Sequence, residues 1–181
     1  MRVPSLYQFF RRQLQYGFGQ HGMAEPATVD YVSDMLARFA HTRALYLIRN
    51  ADGLPLESIA GMLAEWRAAQ GGMDAPRDRA RETLVVRHIG EYTLFMSGLF
   101  RERVRARGQL GYYLAHGSSA FRYCAALEHH PGRAHLFQRL HADFRRISGA
   151  LDHMRRCQFP MASASSPLAA WWQIKGAASG E

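Results

Sequence analysis

The feature that most constrains this chain is a stretch at 77–97 in which apolar side chains recur at helical spacing on almost every side. On a helical wheel its polar edge is narrow, with Arg87 and Glu91 as its members. A helix that is apolar nearly all round is buried. We therefore predict an all-α fold, a single-domain bundle of about six helices around a central buried helix at 77–97. The bulky residues of that helix are Leu84, Val85, Ile89, Tyr92, Phe95, Met96 and Leu99, and Gly90, Thr93, Leu94 and Ser97 form the reverse side that another helix can approach.

The rest of the chain also follows a period of 3.6 residues, and no alternating strand pattern interrupts it. We expect an amphipathic N-terminal segment within 1–20 that packs on its own domain and is broken by Gly17, Gly19 and Gly22. The central helix is expected to open at Pro76, and further helices at a Thr28 cap and at Pro55. Helical structure is also expected in a short arginine-rich turn at 99–107, then at about 110–128 and 133–156.

A length of 181 residues is typical of one domain, and we place its helical part at 1–158. From 159 to 181 the composition shifts to alanine, serine, glycine and proline, which predicts a flexible tail. The pair Trp171-Trp172 interrupts this tail. Two interpretations are open for the pair: it packs on the body of the chain, which we favour, or it anchors a partner.

The basic residues are unusual in kind, because all but one of the 23 are arginine and Lys175 is the exception. The formal net charge is +8. Codon bias in a GC-rich genome explains this composition, and so does a surface for an anionic partner, since arginine binds phosphate and carboxylate in a bidentate manner. We favour the first explanation, although the excess charge attracts anions in either case.

The cellular compartment of the protein is indicated by its two cysteines. These are Cys124 and Cys157, and neither is part of a Cys-x-x-Cys motif. Isolated cysteines are typical of free thiols in a reducing compartment. The N-terminal stretch has no continuous apolar core, and no run approaches eighteen apolar residues. We expect a cytoplasmic protein without a membrane span.

A histidine lies within the central apolar arc, and this placement predicts that His88 is buried. A buried imidazole needs partners, because an unsatisfied polar group costs about 1–3 kcal/mol. Glu91 lies one turn away and can pair with His88 or with Arg87. Which of the two it chooses is left open by the spacing.

Several polar groups can meet His88 if the helices at 77–97 and 110–128 are antiparallel neighbours. Two interpretations compete. The first is a ligand-binding pocket, and the second, which we favour, is a hydrogen-bonded network that determines helix register. The candidate pocket residues are His88, Glu91, Tyr92, Tyr112, Tyr113 and His116.

The arginine-rich turn offers a candidate anion-binding set, Arg101, Arg103, Arg105 and Arg107. On a helix these arginines divide between two opposite sides, so no single basic face forms. We expect a solvated segment that binds no specific nucleic acid, with non-specific phosphate contact left open.

Recognised catalytic and metal motifs do not occur in the sequence. A di-iron bundle needs two Glu-x-x-His pairs, whereas His88-x-x-Glu91 is reversed and alone. There is no zinc motif, nucleophile elbow, Walker loop or dinucleotide fingerprint. The histidines near the C-terminus, including His135, His141 and His153, are expected on a solvated face. We expect no cofactor, no metal and no assembled catalytic set.

A pattern in the middle of the chain resembles a family of uncharacterised bacterial helical proteins. Its first part is the stretch from Gly90 to Phe100, which contains glycine followed by an acid, then Leu-Phe, then Gly-Leu-Phe. The pair Tyr112-Tyr113 follows, and the pattern ends with Gly117-x-x-Ala-Phe121. The family commonly has proline where this chain has Arg101. The resemblance implies a bacterial, soluble, helical protein and supplies no mechanism.

Three functions remain as hypotheses. The first is a non-catalytic intracellular binding or regulatory module with a protein partner or a second copy of the chain. The second is a small-molecule-binding protein or enzyme that uses the buried His/Glu/Tyr pocket. The third is non-specific nucleic-acid binding through arginine.

Overall fold

Helices make up nearly all of the regular structure in this computed structural model, which describes residues 5–20, 22–23, 25–41, 44, 47–50, 53–72 and 76–158. Within this part of the chain there are eight helices and no strand, so the predicted all-α bundle is confirmed. The tail at 159–181, with its tryptophan pair, lies outside the described residues. The helices are α1 (Leu6–Gln20), α2 (Pro26–Phe39), α3 (Ile59–Ala69), α4 (Arg79–Leu99), α5 (Arg101–Ala106), α6 (Leu110–Leu127), α7 (Pro131–Ala142) and α8 (Phe144–Gln158).

The predicted central helix is α4, and it begins where the Asp78 carboxylate accepts the backbone N–H of Arg81 at 2.9 Å. Every residue from His88 to Phe95 is buried. Helix α6 packs along it most extensively, and α3 and α8 cover further sides. Burial on all sides from His88 to Phe95 explains why this part of α4 lacks a clear polar face.

Glycines allow the neighbours of α4 to come close. A methyl group placed on Gly90 would lie 3.0 Å from the ring of Phe121, and one placed on Gly98 would lie 2.7 Å from Cβ of Leu151. A methyl group on Gly117 of α6 would overlap both the ring of Phe144 and the hydroxyl of Thr93. Residues of the pattern that runs from Gly90 to Phe121 therefore contact one another across the α4–α6 interface.

The N-terminal segment packs on its own domain, because α1 contacts α2 and α8 and buries its apolar side. The expected break at Gly17 and Gly19 is wrong: the helix continues to Gln20, and Gly22 follows with a φ of +66°. Phe18, between the two glycines, is fully buried. Its packing offsets the cost of each glycine, about 1 kcal/mol relative to alanine.

Two other helix starts differ from expectation. Helix α2 begins at Pro26, and Thr28 lies inside it as a buried residue rather than as its cap. Proline suits a first helical position, because its missing N–H would have no partner there. Pro55 instead forms an extended bridge with Arg49, and α3 begins after Ser58, whose hydroxyl accepts the N–H of Gly61 at 3.0 Å.

The single helix expected at 133–156 is wrong as well, since the chain turns at Asp143 between α7 and α8. Helix α7 packs mainly on α6, whereas α8 packs mainly on α4 and α1. One straight helix could not lie along both surfaces, so tertiary packing explains the break. None of the helices in the described ranges is both long enough and apolar enough to cross a membrane.

Candidate anion-binding site

The predicted burial of His88 is confirmed, with 1% of the residue exposed. Its ring lies beside Phe39 of α2, at a centroid distance of 5.8 Å, and beside Tyr92, at 6.1 Å. The imidazole therefore faces aromatic rings from α2 and from its own helix.

Glu91 is buried too, but both predicted partners are wrong. Its carboxylate accepts the hydroxyl of Tyr31 at 2.7 Å and the guanidinium of Arg38 at 2.9 Å, both from α2. Burial and the nearby carboxylate raise the pKa of Tyr31 well above its usual value. Burial opposes the charge of Arg38, yet the bonds to Glu91 raise its pKa above the ordinary value. Tyr31 and Arg38 are seven residues apart, on one face of α2, and this spacing is the sequence signal for a shared contact.

The other predicted pocket residues form a row of rings. Tyr92 lies 6.4 Å from Tyr113, Tyr113 lies 6.5 Å from Tyr112, and Tyr112 lies 4.3 Å from His116. Burial lowers the pKa of His116, whereas Tyr112 is 43% exposed. Five of the six predicted residues are thus connected from the core to the surface, and Glu91 faces α2 instead. A ligand pocket along this row stays a prediction.

The predicted arginine set is also divided. Arg101 is half-buried and donates to Ser148 of α8 at 3.0 Å, so it connects α5 to α8. Burial lowers the pKa of this guanidinium. Arg103 is half-buried, whereas Arg105 and Arg107 are exposed. Anion binding by this set stays a prediction.

One of the C-terminal histidines departs from the solvated face that the wheel predicts. His141 is half-buried, and its Nδ1 lies 2.9 Å from the carbonyl oxygen of Ser118. The Ser118 hydroxyl in turn donates to the carbonyl of His141 at 3.1 Å, so the pair links α6 to α7. His135 and His153 are exposed as expected. No three histidine, cysteine, aspartate or glutamate side chains in the described ranges are arranged to hold a metal ion.

A cleft of about 370 Å³ opens where α4, the end of α6 and the start of α7 meet. We call it the arginine cleft. This volume lies within the range of small-molecule sites, about 300–1,000 Å³. Its lining residues are Arg79, Ala80, Thr83, Arg87, Cys124, Leu127, Glu128, His129, Arg133 and Phe137.

The charge of the cleft is positive, because three guanidinium groups face a single carboxylate. Arg133 forms an ion pair with Glu128 at 3.2 Å. Neither Arg79 nor Arg87 forms an ion pair with a carboxylate in the described part of the chain. Arg79 is exposed at the start of α4, whereas Arg87 is half-buried in the wall. The α4 side of the cleft therefore carries two guanidinium groups, those of Arg79 and Arg87, that no carboxylate of the described residues neutralises through an ion pair.

Glu128 is held in its ionised form by groups at the start of α7. Its carboxylate accepts the backbone N–H of His129 at 3.0 Å and that of His130 at 3.1 Å. The bond from His130, together with Arg133 and His129, lowers the pKa of Glu128 although partial burial opposes the shift. A carboxylate with these bonds compensates Arg133 and leaves the α4 side as the cationic side.

The floor of the arginine cleft is apolar and consists of Cys124, Leu127 and Phe137. Burial, with the Glu91 carboxylate nearby, raises the pKa of Cys124 to about 12. Because the thiolate is the nucleophilic form, such a thiol is a packing group rather than a catalyst. Phe137 also supports Tyr31, with ring centroids 5.8 Å apart, so the floor continues into the Glu91 contact.

Sequence reasoning missed this cleft. A weak signal exists on α4, where Ala80, Thr83 and Arg87 follow the spacing of one helical face. The other two walls come from α6 and α7, and no local pattern shows that these helices meet α4 at its N-terminal half. The arginine cleft is therefore a property of the tertiary structure.

The class of protein that the fold and the cleft define is an all-α bundle with an arginine-lined cleft. Comparisons with protein-family models, with curated proteins and with solved structures find no match. The resemblance to a bacterial helical family stays a prediction.

Proposed function

We propose that this chain is a non-catalytic binding protein whose arginine cleft takes a small anionic ligand. The observation that carries the proposal is Arg87, half-buried in the cleft wall and without an ion pair to any carboxylate in the described ranges. A guanidinium is permanently charged and offers five N–H donors. A bound carboxylate or phosphate would supply the missing acceptor and charge, which is worth most where water is partly excluded.

The compartment that we propose is the cytoplasm, and the source that we propose is bacterial. The first is supported by the two cysteines, which are free thiols in the structure, one buried and one exposed. The second is supported by the residue pattern between Gly90 and Phe121.

The test is a titration of uniformly ¹⁵N-labelled protein with sodium phosphate, with sodium chloride at matched ionic strength as the blank. Saturable shifts are expected at the amides of Cys124, Leu127 and Glu128. Arg87→Gln should weaken binding about ten- to hundredfold, as expected for loss of a charge-assisted hydrogen bond of about 1.5–3 kcal/mol.

The matched control is Arg145→Gln, which removes an exposed arginine of α8 that does not line the cleft. This variant should bind phosphate as the wild type does. Equal weakening in Arg145→Gln and Arg87→Gln would show an effect of net charge alone and would contradict the proposal. So would shifts confined to other surfaces.

Association with a protein partner or with a second copy of the chain is a separate proposal. It is supported by the exposed aromatic rings of α6, where Tyr112 is 43% and Tyr123 is 41% exposed. Light scattering coupled to size-exclusion chromatography would show a dimer mass that falls in Tyr112→Ser. A monomer mass at all concentrations would contradict the homo-oligomer.

A further inference from the structure

The two sides of the arginine cleft differ in charge. What they imply about the ligand rests on the function proposed for the cleft. Arg79 and Arg87 lie on the α4 side, where neither forms an ion pair with a carboxylate of the described ranges. The opposite side and the floor are apolar or neutralised. A ligand that uses the whole cleft must therefore be charged at one end and apolar at the other.

The neutral side is built by the Glu128–Arg133 pair. Glu128 accepts two backbone N–H groups and the Arg133 guanidinium, which occupy most of the positions at which a carboxylate accepts hydrogen bonds. A second anionic group on the ligand would meet this carboxylate. The geometry thus disfavours a ligand with anionic groups at both ends and leaves a single anionic site along α4.

The apolar side consists of Leu127, Phe137 and Cys124. The thiol of Cys124 is uncharged at neutral pH, because its pKa is about 12. These groups offer dispersion contacts and no strong hydrogen bond. An inorganic anion would leave them in contact with water, whereas a hydrocarbon group would cover them.

We propose that the ligand is a small organic anion with a single anionic head group, a carboxylate or a phosphate monoester, that carries an apolar body of several carbons. Its anionic end binds Arg87 and Arg79, and its apolar body lies on Leu127 and Phe137. A cleft of about 370 Å³ accommodates such a molecule and is too small for a folded partner. Affinity is then set by chain length as well as by charge.

The experiment measures dissociation constants by calorimetry or NMR for two homologous series. One series runs from inorganic phosphate through methyl, butyl, hexyl and octyl phosphate, and the other from acetate through butyrate, hexanoate and octanoate. Affinity is expected to rise about fourfold per methylene, the value for burial of one CH₂ group. The rise should stop once the chain fills the cleft. The series that binds more tightly identifies the head group.

Arg87→Gln should weaken every member of the better series by the same factor, and Arg145→Gln should weaken none. Leu127→Thr, checked by circular dichroism for native helix content, should reduce the gain in affinity per methylene.

Two results would overturn the inference. If phosphate binds as tightly as its alkyl esters and depends on Arg87, the apolar body is refuted while the proposed anion site stands. If affinity rises with chain length in Arg87→Gln as it does in the wild type, the binding is hydrophobic adsorption elsewhere. Absence of binding by every member would instead refute the proposed function.

Discussion

Single methyl groups decide whether several contacts between helices can form in this protein. At Gly98 and Gly117 the nearest side chain occupies the space that a Cβ atom would need, and at Gly90 the ring of Phe121 would have to move slightly to admit one. At Gly111 of α6 no atom lies within 4 Å of that position apart from its chain neighbours and the backbone of its own helix. The four glycines all lie within helices, where glycine costs about 1 kcal/mol relative to alanine. At Gly90, Gly98 and Gly117 the close approach of a neighbouring helix compensates for this cost, whereas at Gly111 it does not.

We expect Gly117→Ala to lower the free energy of unfolding by about 1–3 kcal/mol, because the new methyl group forces Phe144 or Thr93 to move. Urea denaturation followed by circular dichroism measures the change. Gly111→Ala is the matched control and should be neutral or stabilising by up to about 1 kcal/mol. Equal effects of the two substitutions would mean that α4 and α6 are not in close contact.

At the scale of the residue, the wheel predicted the burial of His88 because burial follows from position on one helix. The same reasoning could not find the partners of Glu91. Tyr31 and Arg38 lie 60 and 53 residues away along the chain, so only the packing of α2 against α4 brings them near. Local spacing favoured Arg87 and His88, and tertiary contact decided otherwise.

At the scale of the element, one buried carboxylate connects α2 to the central helix. Glu91 is 3% exposed, whereas the Arg38 side chain is 39% exposed. Arg38 can therefore return to water if the pair is broken, but Glu91 cannot. The energetic consequence depends on which partner is removed.

We expect Arg38→Met to destabilise the protein by about 3 kcal/mol, near the lower end for an unpaired buried charge. Glu91→Gln should cost less, since Arg38 then becomes hydrated. The double variant should recover part of the loss caused by Arg38→Met, because no buried charge is left. Chemical denaturation of the four proteins measures the cycle, and strictly additive losses would contradict this account.

Helix boundaries show where sequence reasoning stops at this scale. The existence of α4 and α6 follows from long apolar patterns, and their ends agree with the expected ends to within a few residues. The turn at Asp143 has no proline or glycine to mark it. It follows from the different surfaces on which α7 and α8 pack, so a pattern of apolar spacing could not show it.

At the scale of the whole molecule, the chain carries more positive than negative charge. Carboxylates that pair with arginine therefore matter for the stability of the native state at low pH. Glu82 is buried at the start of α4 and accepts two bonds from Arg77, at 2.8 and 3.1 Å. These bonds lower the pKa of Glu82 although burial opposes the shift. A carboxyl group with a depressed folded-state pKa stabilises the native state above its unfolded-state pKa, and this stabilisation is lost as the pH falls through the folded-state value.

We therefore expect Glu82→Gln to lower the free energy of unfolding near neutral pH and to lose this effect between about pH 5 and pH 2. Urea denaturation of both proteins across this range measures the difference. Glu57→Gln, at an exposed position, is the control and should show a smaller change. A difference that persists unchanged at the acid end would assign the effect to packing instead of ionisation.

The arginine cleft also belongs to this scale. Its residues come from three helices, and Arg79, Arg87 and Arg133 look in the sequence like any other member of an arginine-rich set. Arg87 differs because it is partly buried and forms no ion pair with a carboxylate in the part of the chain that the structure describes. Its burial is known only once α6 and α7 are placed. The sequence therefore predicted the bundle and its central helix, while the candidate site required the structure.

The tight approach at Gly98 and Gly117 has a consequence for evolution. Any natural chain that keeps this helix arrangement should retain glycine at both places, whatever it binds, whereas the cationic wall is free to vary with the ligand. Divergent descendants of this protein should then be recognisable by their invariant small residues long after their binding specificity has changed.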